Sequence, residues 1–232
     1  MALVKFGGGI VQMTGSIAGT TFARNKSGNY ARAKTKPVNP NTALQQTIRA
    51  AMSSLTTRWS QVLTGAQRTA WGLYASSVSM TNRLGEAINL TGMNHYIRSN
   101  SILHQNTIAP VDAGPTIFEL PEQDAAFAVS ISEATQLVSV VFDDTMPWLD
   151  EDDAYMILYQ GSPQNPQRNF FAGPWRLLGT IAGDSVTPPT TPTTIACSFV
   201  ATEGQRVWVY GRIARADGRL SEPFRASCFC AA

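Results

Sequence analysis

Acidic residues are missing from the first third of this sequence: of its 232 residues, none before Glu86 is Asp or Glu. That stretch carries ten Lys and Arg, whereas residues 86–232 carry eight basic and sixteen acidic residues. A formal net charge of +2 therefore conceals a basic part and an acidic part. The asymmetry predicts that the basic part contacts nucleic acid, a neighbouring subunit or the acidic part of another copy. A solvated basic surface is the alternative.

Histidine and cysteine are also scarce, with two and three residues. His95 and His104 are nine positions apart, and Cys228 and Cys230 lack the second pair of ligands that a zinc site needs. We expect free thiols, with a bridge from Cys197 to one of the other two as the alternative. No run approaches the roughly 20 apolar residues of a membrane helix, and no apolar signal segment is recognisable at Met1–Ile10.

Sequence motifs of catalysis are absent as well. No phosphate loop, nucleophile elbow or His-Glu-x-x-His pattern occurs. The acidic run Asp150–Asp153 lacks the Gly and the distant Glu of an EF-hand loop, so a solvated loop is favoured over a Ca²⁺ site. A carboxylate pair for glycan hydrolysis from the same run is the weakest alternative. We therefore expect no enzyme, no cofactor, no metal, no membrane contact and no small-molecule substrate.

Residues 1–40 form a glycine-rich basic leader that cannot build a core. Short β-like runs at 19–23 and 30–33 could pair as a hairpin across Asn25–Asn29, but a lone hairpin is marginal in water. The leader is therefore predicted to be an extended arm that docks on a partner, with a disordered tail as the alternative. Its partner-binding residues are predicted to be Arg24, Lys26, Tyr30, Arg32, Lys34 and Lys36. The same residues could contact phosphates nonspecifically, with Tyr30 stacking on a base.

Residues 41–106 read as a helical domain. Thr42 with Gln45, and Thr64 with Gln67, have the capping-box spacing, and apolar residues follow each box at intervals of three and four. The short connection between the two helices predicts an antiparallel hairpin, and a third helix is predicted from Thr91. The core of the helical hairpin is predicted to contain Leu44, Ile48, Leu55, Trp59, Trp71 and Tyr74.

Beyond a linker at 107–120, the apolar period changes to two over residues 121–232. About seven short strands separated by turn residues predict an antiparallel β-sandwich. The predicted strands include 137–142, 155–159, 175–181, 194–200, 206–214 and 224–229. The fold class expected for the whole chain is α+β, with an extended N-terminal arm, a small helical hairpin or bundle and a C-terminal antiparallel sandwich.

Two resemblances extend this interpretation. The stretch Val207–Pro223, with a Gly-centred turn followed by Ser221-Glu222-Pro223, resembles the last hairpin of fibronectin type III domains. The departures are Val207, which stands at the corner tyrosine of that family, and Phe142, the best match to its core tryptophan. The resemblance implies a fibronectin-like or immunoglobulin-like sandwich.

The second resemblance covers residues 7 to about 100. The runs Gly15–Phe22, Arg24–Arg32 and Pro37–Thr42, followed by Trp59 and Trp71, resemble an uncharacterised class of tailed-phage and prophage proteins. It implies a virion structural protein, made in the host cytoplasm. Because an extended arm becomes ordered only on a neighbour, we further expect a capsid auxiliary or cement (decoration) protein whose arm staples neighbouring subunits. The implied partners are the major capsid protein and other copies of the chain. The alternatives are a tail, connector or fibre-associated protein and a nonspecific DNA-contacting protein.

Overall fold

The computed structural model describes residues 2–3, 7–10, 13–25, 28–36, 38–81 and 86–232. The predicted position Lys26 lies outside them. The chain divides into two compact units, Met1–Gln45 and Gln46–Ala232. The N-terminal unit is the leader with the first residues of a helix, and the second unit holds the remaining helices and most of the strands.

The N-terminal unit contains a four-stranded sheet of β1 (Ala2–Leu3), β2 (Gly15–Ile17), β3 (Thr20–Asn25) and β4 (Gly28–Ala33). Strands β3 and β4 pair antiparallel, which confirms the predicted hairpin. Strands β2 and β1 extend this hairpin on its two sides, and neither was predicted because they contain only three and two residues. The leader thus contains a paired sheet, where its composition suggested an extended arm with a possible hairpin.

Three helices follow in the described part of the chain: α1 (Ala43–Gln61), α2 (Gly65–Ser77) and α3 (Gly92–Gln105). Both predicted capping boxes form, since each Thr hydroxyl accepts from the Gln backbone N–H and each Gln side chain accepts from the Thr backbone N–H. Thr91 caps the third helix by accepting from Asn94 N. The hairpin β5 (Ser79–Thr81) and β6 (Ala87–Asn89) lies between α2 and α3.

The helices share one apolar cluster, formed by Leu55 of α1, Trp71 and Tyr74 of α2, and Tyr96 of α3, with Trp59 packed against it. Two residues that were predicted to lie in the core are exposed instead: Leu44 is 62% exposed and Ile48 is 41% exposed. They lie on the same helical stripe as Leu55. However, α1 runs two turns before its first buried residue, Ala51, so the stripe is longer than the cluster that covers it.

Residues 128–231 build a seven-stranded sheet whose strands are β7 (Ala128–Ser132), β8 (Leu137–Val141), β9 (Tyr155–Gly161), β10 (Trp175–Ala182), β11 (Thr193–Ala196), β12 (Arg206–Ala214) and β13 (Phe224–Ala231). Their order is β10-β9-β12-β13-β7-β8-β11, and only β13 and β7 run parallel, over two residue pairs. The sheet curls until it is nearly closed. Its two edge strands lie close together, since a Cβ on Gly179 of β10 would be 3.0 Å from Ile195 of β11. The structure is therefore α+β, as expected.

The inner face of the curled sheet forms the larger core, with Phe142, Trp148, Val207 and Val209 among its members. Part of the outer face is covered by the helical part, since Leu103 of α3 packs with Ile157 and Leu220. Arg98 of α3 joins the same region by donating to Leu220 O at 2.7 Å and to Glu222 Oε1 at 2.9 Å. Within the second unit, packing and an ion pair thus connect α3 to the sheet.

Helices α2 and α3 approach closely at Gly92, and this contact yields a prediction. A Cβ at Gly92 would lie 2.7 Å from Gly72 N and 2.9 Å from Gly72 Cα, and backbone atoms cannot yield as a flexible side chain can. We expect Gly92→Ala to lower the free energy of unfolding by about 1–3 kcal/mol through overpacking. Chemical denaturation measures this.

Gly72→Ala is the matched control, because a Cβ there meets no atom of another element within 4 Å. Ala is preferred over Gly within a helix, so this variant should gain up to about 1 kcal/mol. Equal effects of the two substitutions would contradict the close approach of the helices.

Candidate functional site

The basic residues of the leader do not form one stripe. Arg24 pairs with Asn29, whereas Tyr30 and Arg32 pair with Ala23 and Thr21, one position out of phase. Because side chains alternate along a strand, Tyr30 and Arg32 share one face of the leader sheet and Arg24 lies on the other. Lys34 and Lys36 follow β4 and are exposed.

The side chains of the leader sheet are only partly shielded from water where the structure describes their exposure. None of the described residues of the N-terminal unit is buried, and apolar Ile17 and Val38 are 61% and 90% exposed. A small sheet needs a hydrophobic face packed on something to be stable independently. The cationic side chains of this sheet are therefore candidates for contact with a partner.

Asp112 joins the three helices to the segment that follows them. Its carboxylate accepts from Arg58 Nε and Nη2, each at 2.7 Å, and from Tyr96 Oη at 3.2 Å. Its backbone oxygen accepts from Trp71 Nε1 at 3.0 Å. Burial, followed by the charge of Asp112, raises the pKa of Tyr96. The predicted linker 107–120 therefore contains a structural hub that sequence reasoning missed, because no local pattern marks a partner 54 residues from Arg58.

A buried polar cluster lies between α2 and α3. Tyr74 and His95 pack edge to face with ring centroids 5.1 Å apart, and His95 is fully buried. Among the described residues, neither nitrogen of His95, nor Tyr74 Oη, nor Ser99 Oγ has a hydrogen-bond partner. Burial, aided by the charge of Arg98, lowers the pKa of His95 to about 4, and burial raises that of Tyr74 to about 12. Both groups are therefore neutral at physiological pH.

The outer face of the sheet presents aromatic rings interleaved with arginines. Trp208 stacks on Phe171 with centroids 5.5 Å apart, and Trp175 meets Phe171 edge to face at 4.9 Å. Arg206 lies 5.1 Å above the Trp208 ring, and Arg225 lies 5.6 Å from that of Trp175. We call these five residues the arginine–aromatic face. The only local sequence pattern that indicates this face is the alternation of Arg206 and Trp208 along β12. The remaining part depends on Phe171, which lies in a separate loop and could not be assigned to this face from the sequence.

Residues of the acidic run Asp150–Asp153 form an ion pair and hydrogen bonds with other residues of the chain. Glu151 forms an ion pair with Arg215, and Asp152 accepts from the backbone N–H and the hydroxyl of Ser185. Asp153 lies 3.5 Å from the hydroxyl of Tyr155. Three of the four acidic residues therefore have partners within the chain.

The three cysteines are free thiols and face the core of the sheet. Cys228 and Cys230 are two residues apart and point to the same side of β13, because side chains alternate along a strand. Burial raises the pKa of all three thiols, that of Cys228 to about 11. They are packing residues here.

Within the described residues there is no group of three or more His, Cys, Asp or Glu that could hold a metal ion. Over the same residues, none of the helices is both long and apolar enough to cross a membrane. No protein-family model matches the chain, and no curated protein matches it significantly.

Proposed function

We propose that this chain is a virion structural protein of a tailed bacteriophage, and specifically a capsid auxiliary protein whose leader staples neighbouring subunits. The observation that carries the proposal is the leader itself, a compact sheet with cationic side chains and no buried residue among those described. Docking on a neighbouring subunit would supply the missing hydrophobic contact, so the leader would be stabilised by assembly. Its lack of acidic residues favours an acidic partner surface, such as the acidic part of another copy.

We also propose that the seven-stranded sheet is a sandwich of the fibronectin or immunoglobulin kind. Strands β7-β8-β11 and β10-β9-β12-β13 form two sets, and the strand pairing between the sets consists of the two parallel residue pairs of β13 and β7. Numbered along the chain, these sets correspond to strands A, B and E on one side and C′, C, F and G on the other, the order used in immunoglobulin domains. A module of this kind would give the virion protein a stable domain that projects from the particle surface.

The assembly role is tested by limited trypsin digestion of the free protein and of intact particles, followed by mass spectrometry. We expect cleavage after Arg24, Arg32 and Lys34 to be fast in the free protein and blocked in particles. In addition, Arg32→Glu should reduce incorporation into particles on the order of tenfold, since like charges at an interface are strongly unfavourable. Arg68→Glu, the same change at an exposed position of α2, should have no effect.

Cleavage that is equally slow in the free protein would contradict the stapling role, because the leader would then be protected from trypsin without a partner. Separation of particles into heads and tails distinguishes a capsid location from a tail or connector location. A second candidate function is nonspecific nucleic-acid contact, favoured by the shared face of Tyr30 and Arg32. It requires affinity for duplex DNA that falls steeply as salt is raised.

A further inference from the structure

The arginine–aromatic face contains a pocket of about 260 Å³ beside Arg225. Trp208 and Phe171 are among its lining residues and are themselves well buried, whereas Phe170 is 69% exposed at its edge. The volume lies below the roughly 300–1,000 Å³ of sites for drug-sized ligands, so it fits a body of about one substituted ring.

Two polar side chains of this pocket, Asn169 and Ser227, accept hydrogen bonds from Arg206. Arg206 donates to Asn169 Oδ1 and to Ser227 Oγ, each at 3.1 Å. An amide whose oxygen is engaged still offers its two N–H groups, and a hydroxyl that accepts can still donate. Arg206 therefore occupies acceptor sites on Asn169 and Ser227 and leaves their donors free.

Arg225 adds a third donor and a positive charge. Its guanidinium is exposed and makes neither a hydrogen bond nor an ion pair within the part of the chain that the structure describes, although it lies over the Trp175 ring. No acidic side chain is available from the surrounding strands, since residues 155–182, 206–214 and 224–231 contain no Asp or Glu. A pocket with free donors, a cation and no carboxylate favours an anionic ligand.

We propose that this pocket binds an acidic sugar, with its carboxylate on Arg225, Asn169 and Ser227 and its ring against Phe170 and Trp208. Exposed Phe170 favours this ligand over a bare anion, because a carboxylate alone would be bound by Arg225 and would leave the Phe170 ring uncovered. A sugar ring presents apolar C–H groups to an aromatic side chain and polar groups at its rim. This site is separate from the leader and does not depend on the assembly role.

The test is a titration of the full-length protein with sodium glucuronate, followed by NMR at the indole N–H of Trp208. A ligand of this size should bind with a dissociation constant on the order of 1 mM. Neutral methyl glucoside has the ring without the charge and should shift nothing. Arg225→Gln should weaken glucuronate binding about tenfold or more, since it removes the charge-assisted hydrogen bonds.

Arg176→Gln is the matched control. Arg176, in β10, also lies over a ring, 4.4 Å from the centroid of Phe199, but it does not line the pocket. It should leave binding unchanged. Equal loss in both variants would overturn the site in favour of a general charge effect.

Three other outcomes would also overturn the proposal. The first is no shift with glucuronate up to about 20 mM, far above the expected dissociation constant. The second is equal binding of methyl glucoside, which would remove the role of the carboxylate. The third is tighter binding of sodium benzoate, or of a peptide with the sequence of residues 149–154, which would assign the pocket to a planar acid or to another copy of the chain.

Discussion

Trp71→Ala should lower the free energy of unfolding by about 4 kcal/mol, because truncation of a fully buried tryptophan leaves a large cavity. The side chain is inaccessible to water and meets Tyr74 and Tyr96 edge to face. Its Nε1 also donates to Asp112 O. A Cβ on Gly218, in the turn between β12 and β13, would lie 3.2 Å from its ring. Trp71 therefore packs against both the helices and the sheet. We expect its truncation to shift the unfolding of both together, as one cooperative transition.

Denaturant unfolding followed by circular dichroism checks this result. Trp71→Phe should recover most of the loss but leave the Asp112 oxygen without its donor, at a cost of about 1–2 kcal/mol. Leu73→Ala is the control on the same helix, since Leu73 is 54% exposed. A surface substitution of that kind is usually within about 0.5 kcal/mol of wild type. A loss below about 1.5 kcal/mol in Trp71→Ala would contradict the packing described for α2.

Acid should destabilise the protein through His95 before most carboxylates titrate. The unfolded histidine has a pKa near 6.5, and the folded one is lowered to about 4 by burial and by Arg98. Between these values the unfolded chain binds the proton and the folded chain does not, so stability falls as the pH falls. The loss should reach about 2 kcal/mol at pH 5 and about 3 kcal/mol at pH 4.

The groups that set this behaviour lie on the elements packed around His95. Tyr74 of α2 is neutral, and Arg98 of α3 is a nearby cation that disfavours a second positive charge. His95→Leu should therefore flatten the dependence of stability on pH between 6.5 and 5, whereas His104→Gln, on the same helix, should retain it. Denaturation midpoints at several pH values measure both. An unchanged slope in His95→Leu would assign the acid sensitivity to other groups.

Local sequence patterns predicted the helices and strands better than they predicted which residues these elements contact. The Thr-x-x-Gln boxes fixed where α1 and α2 begin, because a capping box is complete within four residues. Alternation placed the sheet strands, although the predicted strand 194–200 ends at Ala196 in the structure. It ends there because the backbone N–H groups of Ser198 and Phe199 donate to Gln160 Oε1 instead of continuing the ladder.

Features made by distant residues could not be predicted. Leu44 and Ile48 have the same spacing as Leu55, and periodicity identifies an apolar stripe without saying how far a partner covers it. The Asp112 hub and the pocket at Arg225 need side chains from segments that are far apart in sequence. The basic leader was recognised by composition, whereas the separation of Arg24 from Tyr30 and Arg32 required the strand register.

The inward orientation of the three thiols has a practical consequence for chemical labelling. Thiolate is the reactive form of cysteine, and a thiol with a pKa near 11, such as that of Cys228, is ionised to only about one part in ten thousand at neutral pH. A cysteine introduced at exposed Lys34 would therefore outcompete the native thiols for maleimide reagents. Fluorescent or spin probes can then be placed on the leader without first replacing the core cysteines.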